Sequence, residues 1–372
     1  MKILALEPYY GGSHRAFLDG WAAASRHDWT ILGLPAYKWK WRMRHSAVTL
    51  ARQVTERYDT GERWDRLFCS DMLNLAEFKG LVDPGISALP AVLYFHENQL
   101  TYPNRRSEER DMHFAYTNFT SALAADSVWF NSGFHREEFL TALRGLLERM
   151  PDYEELSAVD RIREKSAVHP PGITPLTPPE NRRPGPPRIL WAARWDHDKN
   201  PELFFDVVMQ LAQENIDFRV SVIGEQFSDV PPVFAQARKS LGTRIDRWGY
   251  QTDRRDYEAA LREADIVVST ANHEFFGIGV VEAIASGAYP LLPNRLAYPE
   301  ILADIPVPER ASFFYDGSHE QLKDRLRLLI AEADVGTLWT DHTSSLLSSM
   351  KRFTWNSAVP VLDDSLESSL PL

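Results

Sequence analysis

The chain has 372 residues, which is enough for two domains that each bury a hydrophobic core. Its formal net charge of −11 excludes a surface that attracts nucleic acids or acidic membranes without selection. A single cysteine, Cys69, excludes an intramolecular disulfide and fits a reducing compartment, so we expect a cytoplasmic protein. No apolar run approaches the roughly 18 residues that a membrane-spanning helix needs, and we expect no stable association with a membrane.

Short apolar runs alternate with helical stretches along the whole chain. This alternation predicts an α/β fold with parallel sheets, in which ligands bind beyond the carboxyl ends of the strands. The predicted strands cover residues 2–7, 65–70, 91–96, 127–132, 188–193, 219–224, 265–270 and 288–293.

A proline-rich segment separates two groups of predicted strands. Residues 169–187 contain eight of the 24 prolines and show neither helical nor strand periodicity, as expected of a stiff connector. We therefore predict an N-terminal α/β domain over residues 1–168 and a second α/β domain over residues 188–345. Residues 346–372 are predicted to form a C-terminal tail.

Two glycines and a histidine follow the first predicted strand. Gly11 and Gly12 lack side chains, so the backbone there could approach a ligand closely. A plain tight turn is the alternative interpretation. His14 closes the same cluster two residues later.

Cations and large apolar side chains alternate over residues 38–44. In an extended segment the cations would share one face and the apolar side chains the other. Two interpretations remain open. One is a half-buried strand with a solvated outer face, and the other is a contact with a phosphate backbone in which aromatic rings stack on bases. The residues are Lys38, Trp39, Lys40, Trp41, Arg42, Met43 and Arg44.

A polar turn ends the predicted strand that begins at residue 91. Buried polar groups need hydrogen-bond partners, so four of them in succession indicate a binding site rather than core. A structural histidine is the alternative for His96, which is otherwise well placed to reach a ligand hydroxyl. The four residues are His96, Glu97, Asn98 and Gln99.

The loop after residues 188–193 carries two cations, Arg194 and Lys199, five positions apart. Arginine binds phosphate through two parallel hydrogen bonds and lysine acts as a point charge, so this pair could converge on one diphosphate. Two solvated cations are the alternative interpretation. Asn200 and Pro201 then predict the start of a helix.

Residues 265–293 hold the most informative pattern, which predicts a strand, a turn, a short helix and a second strand. Gly277 lies where the loop becomes a helix, and Gly287 lies where a left-handed cap would end it. Glu274 then lies on the loop, and Glu282 lies about one turn into the helix. Unpaired N–H groups at the helix start suit a phosphate, while carboxylates, which only accept hydrogen bonds, suit sugar hydroxyls. An ordinary surface loop is the alternative.

On these motifs the C-terminal half resembles the family-4 retaining glycosyltransferases of the GT-B fold. The resemblance implies two Rossmann-like domains whose parallel sheets face each other across a cleft, with the C-terminal tail returning to the N-terminal domain. It implies that Arg194 and Lys199 hold the donor diphosphate. Glu274 would contact the transferred sugar, and Glu282 would bind the ribose. The other donor-binding residues would be Gly11, Gly12, Gly224, Tyr250, Phe276, Gly277 and Ile278.

The N-terminal motifs resemble those of the tRNA-queuosine mannosyltransferase family. In chain order they read GGSH, KWKWRMR, DMLNLAEFKG, FHENQLTYP and FNSGF. The resemblance implies transfer of mannose from GDP-mannose to the cyclopentenediol of queuosine in a tRNA anticodon, with retention at the anomeric carbon. The partners would then be a queuosine-containing tRNA and a nucleotide sugar.

The residue patterns and the two resemblances together suggest roles for individual residues. No cofactor is expected. Asp196 and Asp198 form an Asp-x-Asp motif that binds a metal in a different glycosyltransferase fold, but the two cations of this loop make a metal redundant, and none is expected. The catalytic residues would be His96, Arg194, Lys199 and Glu274. The acceptor-binding residues would be His14, Lys38, Trp39, Lys40, Trp41, Arg42, Arg44, Glu97, Asn98 and Gln99.

Two other functions remain open from the sequence. A family-4 glycosyltransferase that uses another sugar nucleotide and a lipid or small-molecule acceptor would be expected to carry an amphipathic basic helix, and no clear one is seen. A non-catalytic module that binds a sugar nucleotide or tRNA is disfavoured because all four residues of the donor motifs, Arg194, Lys199, Glu274 and Glu282, are present.

Overall fold

The computed structural model describes most of the chain as two compact units. Unit 1 comprises Met1–Gly172 and Trp355–Leu372, and unit 2 comprises Ile173–Thr354. The predicted linker and tail lie partly outside the described residues. No helix within the described residues has an apolar stretch long enough to cross a membrane. The described residues are 1–103, 111–179, 183–226, 229–339 and 343–368.

Unit 2 begins inside the proline-rich segment. The backbone N–H of Ile173 donates to the carbonyl of Phe353 at 2.7 Å, and Ile173 forms a parallel bridge with Thr354. Ile173 is also buried in the core of this unit. Backbone pairing therefore holds residue 173 to unit 2, although the sequence places the second domain from residue 188.

Unit 1 is built on one parallel sheet of six strands. The strands are β1 (Lys2–Tyr10), β2 (Asp28–Pro35), β3 (Arg66–Ser70), β4 (Ala91–Phe95), β5 (Ser127–Phe130) and β6 (Ser166–Val168). Their order in the sheet is β2-β1-β3-β4-β5-β6, which confirms the predicted parallel α/β architecture. The helices are α1 (Gly12–Ala24), α2 (Trp39–Asp59), α3 (Leu75–Leu81), α4 (Pro84–Ser87), α5 (Met112–Ala124), α6 (Gly133–Leu147) and α7 (Ser157–Glu164).

The prediction of an extended segment over residues 38–44 is wrong, because these residues begin helix α2. In a helix, residues four apart share a face, so Trp39 and Met43 both point inward. Met43 is 2 % exposed, and the Trp39 ring lies 5.3 Å from that of Phe114. The buried face continues over about two and a half further helical turns of small and apolar residues, which outweighs the short alternation. Those buried positions are Ser46, Ala47, Leu50, Ala51 and Val54.

Unit 2 repeats the architecture with a second parallel sheet of six strands. The strands are β7 (Arg188–Ala192), β8 (Arg219–Ile223), β9 (Ile245–Gly249), β10 (Ile266–Val268), β11 (Tyr289–Pro293) and β12 (Phe314–Tyr315), in the order β12-β11-β10-β7-β8-β9. The helices are α8 (Pro201–Gln213), α9 (Val233–Leu241), α10 (Arg254–Glu263), α11 (Ile278–Ala285), α12 (Tyr298–Ile301), α13 (Val307–Arg310), α14 (His319–Asp334) and α15 (Thr343–Met350). A last helix, α16 (Trp355–Ser368), belongs to unit 1.

The eight strands predicted from the sequence are the eight interior strands of the two sheets. The four that were not predicted, β2, β6, β9 and β12, are the four sheet edges. Interior strands such as β3 and β4 are buried at every position, whereas β6 is half-buried throughout. Burial on both faces gives interior strands their continuous apolar runs, and edge strands lack that signal.

Helix α16 is fixed to α1 by one buried carboxylate, Asp363, which is 1 % exposed. It accepts hydrogen bonds from the Trp21 indole N–H at 2.7 Å and the Ser25 hydroxyl at 2.8 Å. The backbone N–H of Arg26 donates to its other oxygen at 2.9 Å. A buried carboxylate that satisfies three donors ties the C-terminal helix to the first helix of the chain.

We predict that Asp363→Ala destabilises unit 1 by about 3 kcal/mol, because three donors lose a buried, charged acceptor. Calorimetry should show a fall of roughly 6 °C or more in the melting temperature of that unit. Asp364→Ala is the matched control. Its ion pair with Arg26 joins side chains that are 71% and 45% exposed, so its loss should cost less than about 1 kcal/mol. Equal losses in the two variants would contradict the assignment.

Candidate functional site

The loop after β7 carries the predicted cationic pair and turns directly into a helix. Residues His197–Lys199 form a single 3-10 turn, and Pro201 is the first residue of α8. Asn200 caps this helix in a left-handed conformation with φ 48°, and its side chain accepts from the backbone N–H of Leu203. The predicted helix start at Asn200 and Pro201 is therefore confirmed.

Lys199 lies at the centre of the site in unit 2 and is only 5 % exposed. Its Nζ lies 3.1 Å from Asp198 Oδ2 and 3.1 Å from Glu274 Oε2, and it donates to the carbonyl of His273 at 2.6 Å. The Arg194 guanidinium lies 3.5 Å from Asp198 Oδ2. The fold thus brings together three predicted site residues from two loops. We call Arg194, Asp198, Lys199 and Glu274 the lysine cluster.

The charges of the lysine cluster balance, which explains how a lysine can be buried here. Burial alone would raise the pKa of Asp198, but the charges of Lys199 and Arg194 outweigh that effect and lower it. Burial, reinforced by the charge of Lys199, lowers the pKa of His273 to about 4, so that imidazole is neutral. Two cations therefore meet two carboxylates. Arg194 and Glu274 are the more accessible members, with side chains 33% and 24% exposed.

Helix α11 begins beside Glu274, as the sequence predicts. Gly277 is its N-cap, with φ 87°. A side chain there would be strained by that φ and would place a Cβ 3.1 Å from the Tyr298 ring. Gly287, with φ 99°, follows the end of the helix in the predicted left-handed conformation. The unpaired N–H groups and the positive dipole end of α11 therefore lie next to the loop that holds Glu274.

Glu282 lies one turn into α11, where its carboxylate meets side chains from α10. The Tyr257 hydroxyl donates to Oε2 at 2.5 Å, and the Arg254 guanidinium lies 3.5 Å from Oε1. Burial raises the pKa of Glu282, and these two partners offset part of that rise. Tyr257 and Arg254 were not predicted as site residues, because their motif, a polar helix after β9, is common to many surface helices.

The remaining donor residues predicted in unit 2 have different environments. Gly224 has φ 154°, and a Cβ there would lie 1.8 Å from the carbonyl oxygen of Ala193, so only glycine lets β8 end against the β7 loop. The Phe276 side chain is buried in the core and packs against Phe353, which leaves its backbone as the group available to a ligand. Tyr250 follows β9 and is 63 % exposed. Ile278 is the first residue of α11.

Unit 1 holds a second polar cluster at the carboxyl ends of β1 and β4. His14 Nδ1 lies 3.2 Å from Glu7 Oε2, and the rings of His14 and His96 lie 4.0 Å apart between centroids. The other oxygen of Glu7 accepts from the Tyr9 N–H at 2.8 Å and the Ser70 hydroxyl at 2.9 Å. We call Glu7, His14 and His96 the histidine cluster.

The two histidines have opposite charge states. Burial acts to lower the pKa of His14, but the Glu7 carboxylate outweighs it and raises that pKa to about 9. Burial lowers the pKa of His96 well below its usual value, and the charge on His14 adds to that effect. Burial also raises the pKa of the nearby Asp71, which accepts a hydrogen bond from the backbone N–H of His96 at 2.9 Å. At neutral pH a cationic His14 therefore lies against a neutral His96.

Glu7 and Asp71 were missed by the sequence analysis. Glu7 lies within an apolar strand and Asp71 directly follows one, and both are fully buried. A lone acid inside a buried strand is itself a signal, because burying an isolated carboxylate is costly unless it is paired.

The glycines and the polar turn of unit 1 have mainly structural contacts. Gly12 has φ 52° and open space where a side chain would point, whereas a Cβ at Gly11 would lie 2.4 Å from the Cβ of Ala36. The Asn98 side-chain oxygen accepts from the N–H groups of Leu100 and Thr101, which shapes the turn itself. The Gln99 amide donates to Glu97 at 3.3 Å. Contacts of Glu97, Asn98 and Gln99 with an acceptor stay a prediction.

The histidine cluster is also the one group in the described part of the chain whose ligand atoms could converge on a metal, since they lie within 4.8 Å of one another. A metal ligand must be deprotonated, and the Glu7 carboxylate holds a proton on His14. The Asp-x-Asp motif is divided between two partners, because Asp196 binds His197 while Asp198 faces the lysine cluster. The expectation that no metal is needed stays a prediction.

We predict that His14 titrates with a pKa of about 9 and that Glu7→Gln lowers this pKa, because only the weaker charges of Asp71 and Glu97 then oppose the effect of burial. Imidazole ¹⁵N chemical shifts followed by NMR against pH measure both values. Glu56→Gln, which removes an exposed carboxylate of α2, is the control and should leave His14 unchanged. A wild-type His14 that titrates near 6.5 would contradict the ion pair.

Solved structures of very different sequence share this fold. Sucrose-phosphate synthase from Thermosynechococcus elongatus superposes with a TM-score of 0.72 at 14% identity, and the match covers 98% of each chain. Anabaena HepE, solved with UDP and glucose, gives a TM-score of 0.67 at 13% identity over 99% of each chain. At such identities the likeness shows the fold alone, and it confirms the predicted GT-B fold.

Comparison with related sequences identifies the family. The family model described as tRNA-queuosine alpha-mannosyltransferase N-terminal matches residues 2–173, and that of glycosyl transferases group 1 matches residues 174–337. A GDP-mannose-dependent alpha-(1-6)-phosphatidylinositol dimannoside mannosyltransferase of Mycobacterium tuberculosis is 27% identical over 210 residues, which cover 53% of this chain and 48% of that relative. A tRNA-queuosine alpha-mannosyltransferase of Drosophila melanogaster is 37% identical over 318 residues, which cover 80% of this chain and 81% of that relative. The chain therefore belongs to the tRNA-queuosine alpha-mannosyltransferase family and is a glycosyltransferase.

Proposed function

We propose that the protein transfers mannose from GDP-mannose to the cyclopentenediol of queuosine in a tRNA anticodon, with retention at the anomeric carbon. A cytoplasmic location, where it would meet tRNA, is part of the proposal. The observation that carries it is the contact between Lys199 Nζ and Glu274 Oε2 at 3.1 Å. The contact places a cation suited to a diphosphate next to a hydrogen-bond acceptor suited to sugar hydroxyls. Diphosphate and sugar are two parts of a sugar nucleotide.

The choice of acceptor and donor is supported by the named relatives. The fly relative is named a tRNA-queuosine alpha-mannosyltransferase and aligns with four-fifths of this chain. The N-terminal family model that matches residues 2–173 carries the same name. The mycobacterial relative, which is named GDP-mannose-dependent, supports the nucleotide sugar, although its acceptor is a phosphatidylinositol mannoside.

In the proposed reaction the bond between the anomeric carbon and the diphosphate oxygen breaks as the acceptor hydroxyl approaches from the same face. The new glycosidic bond forms to that hydroxyl oxygen, and its proton passes to the departing diphosphate. The leaving group gains negative charge, so preorganised cations are the groups that lower the barrier. Lys199, Arg194 and the start of α11 would supply that positive field.

Glu274 and Glu282 would orient the donor. The Glu274 carboxylate is held by Lys199, which fixes its direction toward a bound sugar, and it would accept hydrogen bonds from mannose hydroxyls. Glu282 would bind the ribose in place of, or beside, the Tyr257 hydroxyl. His96 is neutral and would position a sugar or acceptor hydroxyl by hydrogen bonding rather than by charge.

The test is incubation with GDP-mannose and two tRNA pools, one containing queuosine and one lacking it, followed by mass analysis of the nucleosides. We expect a hexose on queuosine only, and we expect the yield to survive excess chelator because no metal is part of the proposal. Transfer to neither pool would overturn the acceptor assignment. It would direct the search to other sugar nucleotides and to lipid or small-molecule acceptors.

We predict that Arg194→Ala and Lys199→Ala each lower turnover at least tenfold, because a charge-assisted hydrogen bond is worth about 1.5–3 kcal/mol. Steady-state kinetics with saturating tRNA measure this. Lys199→Ala also leaves Asp198 buried without its closest cation, so its folding must be verified by circular dichroism. Arg194→Ala is the cleaner variant because its side chain is 33% exposed.

Lys239→Ala is the matched control for this pair, since it removes an exposed cation of α9 in the same unit. Its turnover should stay within about twofold of the wild type, as expected for a surface charge with no ligand contact. Turnover close to wild type in Arg194→Ala and Lys199→Ala would mean that the diphosphate binds elsewhere.

A further inference from the structure

The start of helix α2 is strongly basic in an acidic protein. Residues 38–55 contain five lysines and arginines and no aspartate or glutamate, whereas the whole chain has a net charge of −11. Four of these cations fall at or within the first two turns of α2, and its first turn has no acidic residue. The positive end of the helix dipole repels cations, so this arrangement opposes helix stability, and an anionic partner would relieve that repulsion.

The same turns expose a large aromatic ring. Trp41 is 61 % exposed, and among the described residues no other tryptophan is as accessible to solvent. Its ring lies 4.9 Å from that of His45, with 30° between the planes. His45 is held by hydrogen bonds with Arg42 at 2.9 Å and Thr49 at 2.9 Å. The indole is therefore supported on one side by a fixed imidazole and remains open to solvent.

Helical geometry separates the two tryptophans of this segment. Trp39 packs beside Phe114 and is half-buried, so it belongs to the structure of unit 1. Trp41, two positions along, points away from that contact. Lys40 and Arg44 are exposed and lie four residues apart on one face of α2, which adjoins Trp41 along the helix. The Lys40 ammonium lies 5.6 Å from the centroid of the Trp39 ring, and the Arg44 guanidinium lies 5.1 Å from that of Phe114.

We propose that Trp41 is a stacking platform for an unpaired base of the acceptor RNA, with Lys40 and Arg44 contacting the phosphates beside it. This inference rests on the proposed function, since it adds a contact to the same tRNA substrate. An exposed ring bordered by cations is the arrangement that binds single-stranded nucleic acid. The bases of an anticodon loop are unpaired and offer free faces, whereas those of a duplex do not. An acidic peptide would be bound by the cations but gains little from the ring.

The test is binding of a fluorescent, queuosine-containing anticodon stem-loop and of a blunt duplex with the same stem. We expect Trp41→Ala to raise the Kd for the stem-loop about tenfold, in line with the loss of one stacked base. The Kd for the duplex should not change.

Two further variants separate the ring from the cations. Trp41→Phe keeps a ring, so its Kd for the stem-loop should stay within about threefold of that of the wild type. Lys40→Gln with Arg44→Gln should reduce the slope of log K against log salt by about 1.4.

Tyr153→Ala is the control, because Tyr153 is an aromatic residue of the same unit that is 85 % exposed and is not part of the proposed platform. Its stem-loop Kd should equal that of the wild type, and GDP-mannose should bind all variants equally. An unchanged stem-loop Kd in Trp41→Ala would overturn the stacking platform, as would an equal loss for the duplex. If the wild type transfers mannose to queuosine and Trp41→Ala does so with unchanged KM, only this inference fails. If the wild type transfers none, the proposed function itself fails.

Discussion

The buried ammonium group of Lys199 is the constraint on which the site in unit 2 depends. A lysine that is 5 % exposed must be paired, because an isolated buried charge is too costly to keep. Asp198 and Glu274 provide that pairing at 3.1 Å each, so the loop after β7 and the loop before α11 are held in one arrangement. The site is therefore preorganised, and a diphosphate would meet cations whose positions are already fixed.

Unit 1 uses the same principle with a different pair of residues. Glu7, within β1, keeps His14 charged, and the charged His14 helps keep His96 neutral. Both clusters lie where parallel strands end, which is where such sheets expose backbone and loops to ligands. Each unit thus holds a buried cation with carboxylates. In unit 2 this cation is Lys199 between two carboxylates, and in unit 1 it is His14 beside one. In each cluster, moving the cation away would leave a buried carboxylate without its partner.

How far the sequence predicts this molecule depends on how much of each element is buried. Every interior strand was predicted because burial on both faces makes its apolar run continuous, whereas the edge strand β6 is half-buried and left no such run. The start of α8 at Pro201 and the place of Glu282 followed from local rules of helix capping. The prediction of an extended segment at 38–44 was wrong because these seven residues alternate with a period of two. The apolar face of the helix becomes clear only in the residues that follow, 46–54. Glu7 was missed because it lies inside an apolar run, and only the fold brings its partners His14 and Ser70 to it.

A crystal structure of the protein with GDP-mannose tests the donor site most directly. We expect diphosphate oxygens within about 3 Å of Lys199 Nζ and the Arg194 guanidinium, mannose hydroxyls at Glu274 and the ribose at Glu282. Unit 2 also has a cavity of about 450 Å³ at the opposite ends of its strands, where Arg188, Arg219 and Arg244 lie beside Asp217 and Asp246. Density for the diphosphate in that cavity, with the lysine cluster unchanged, would contradict the account.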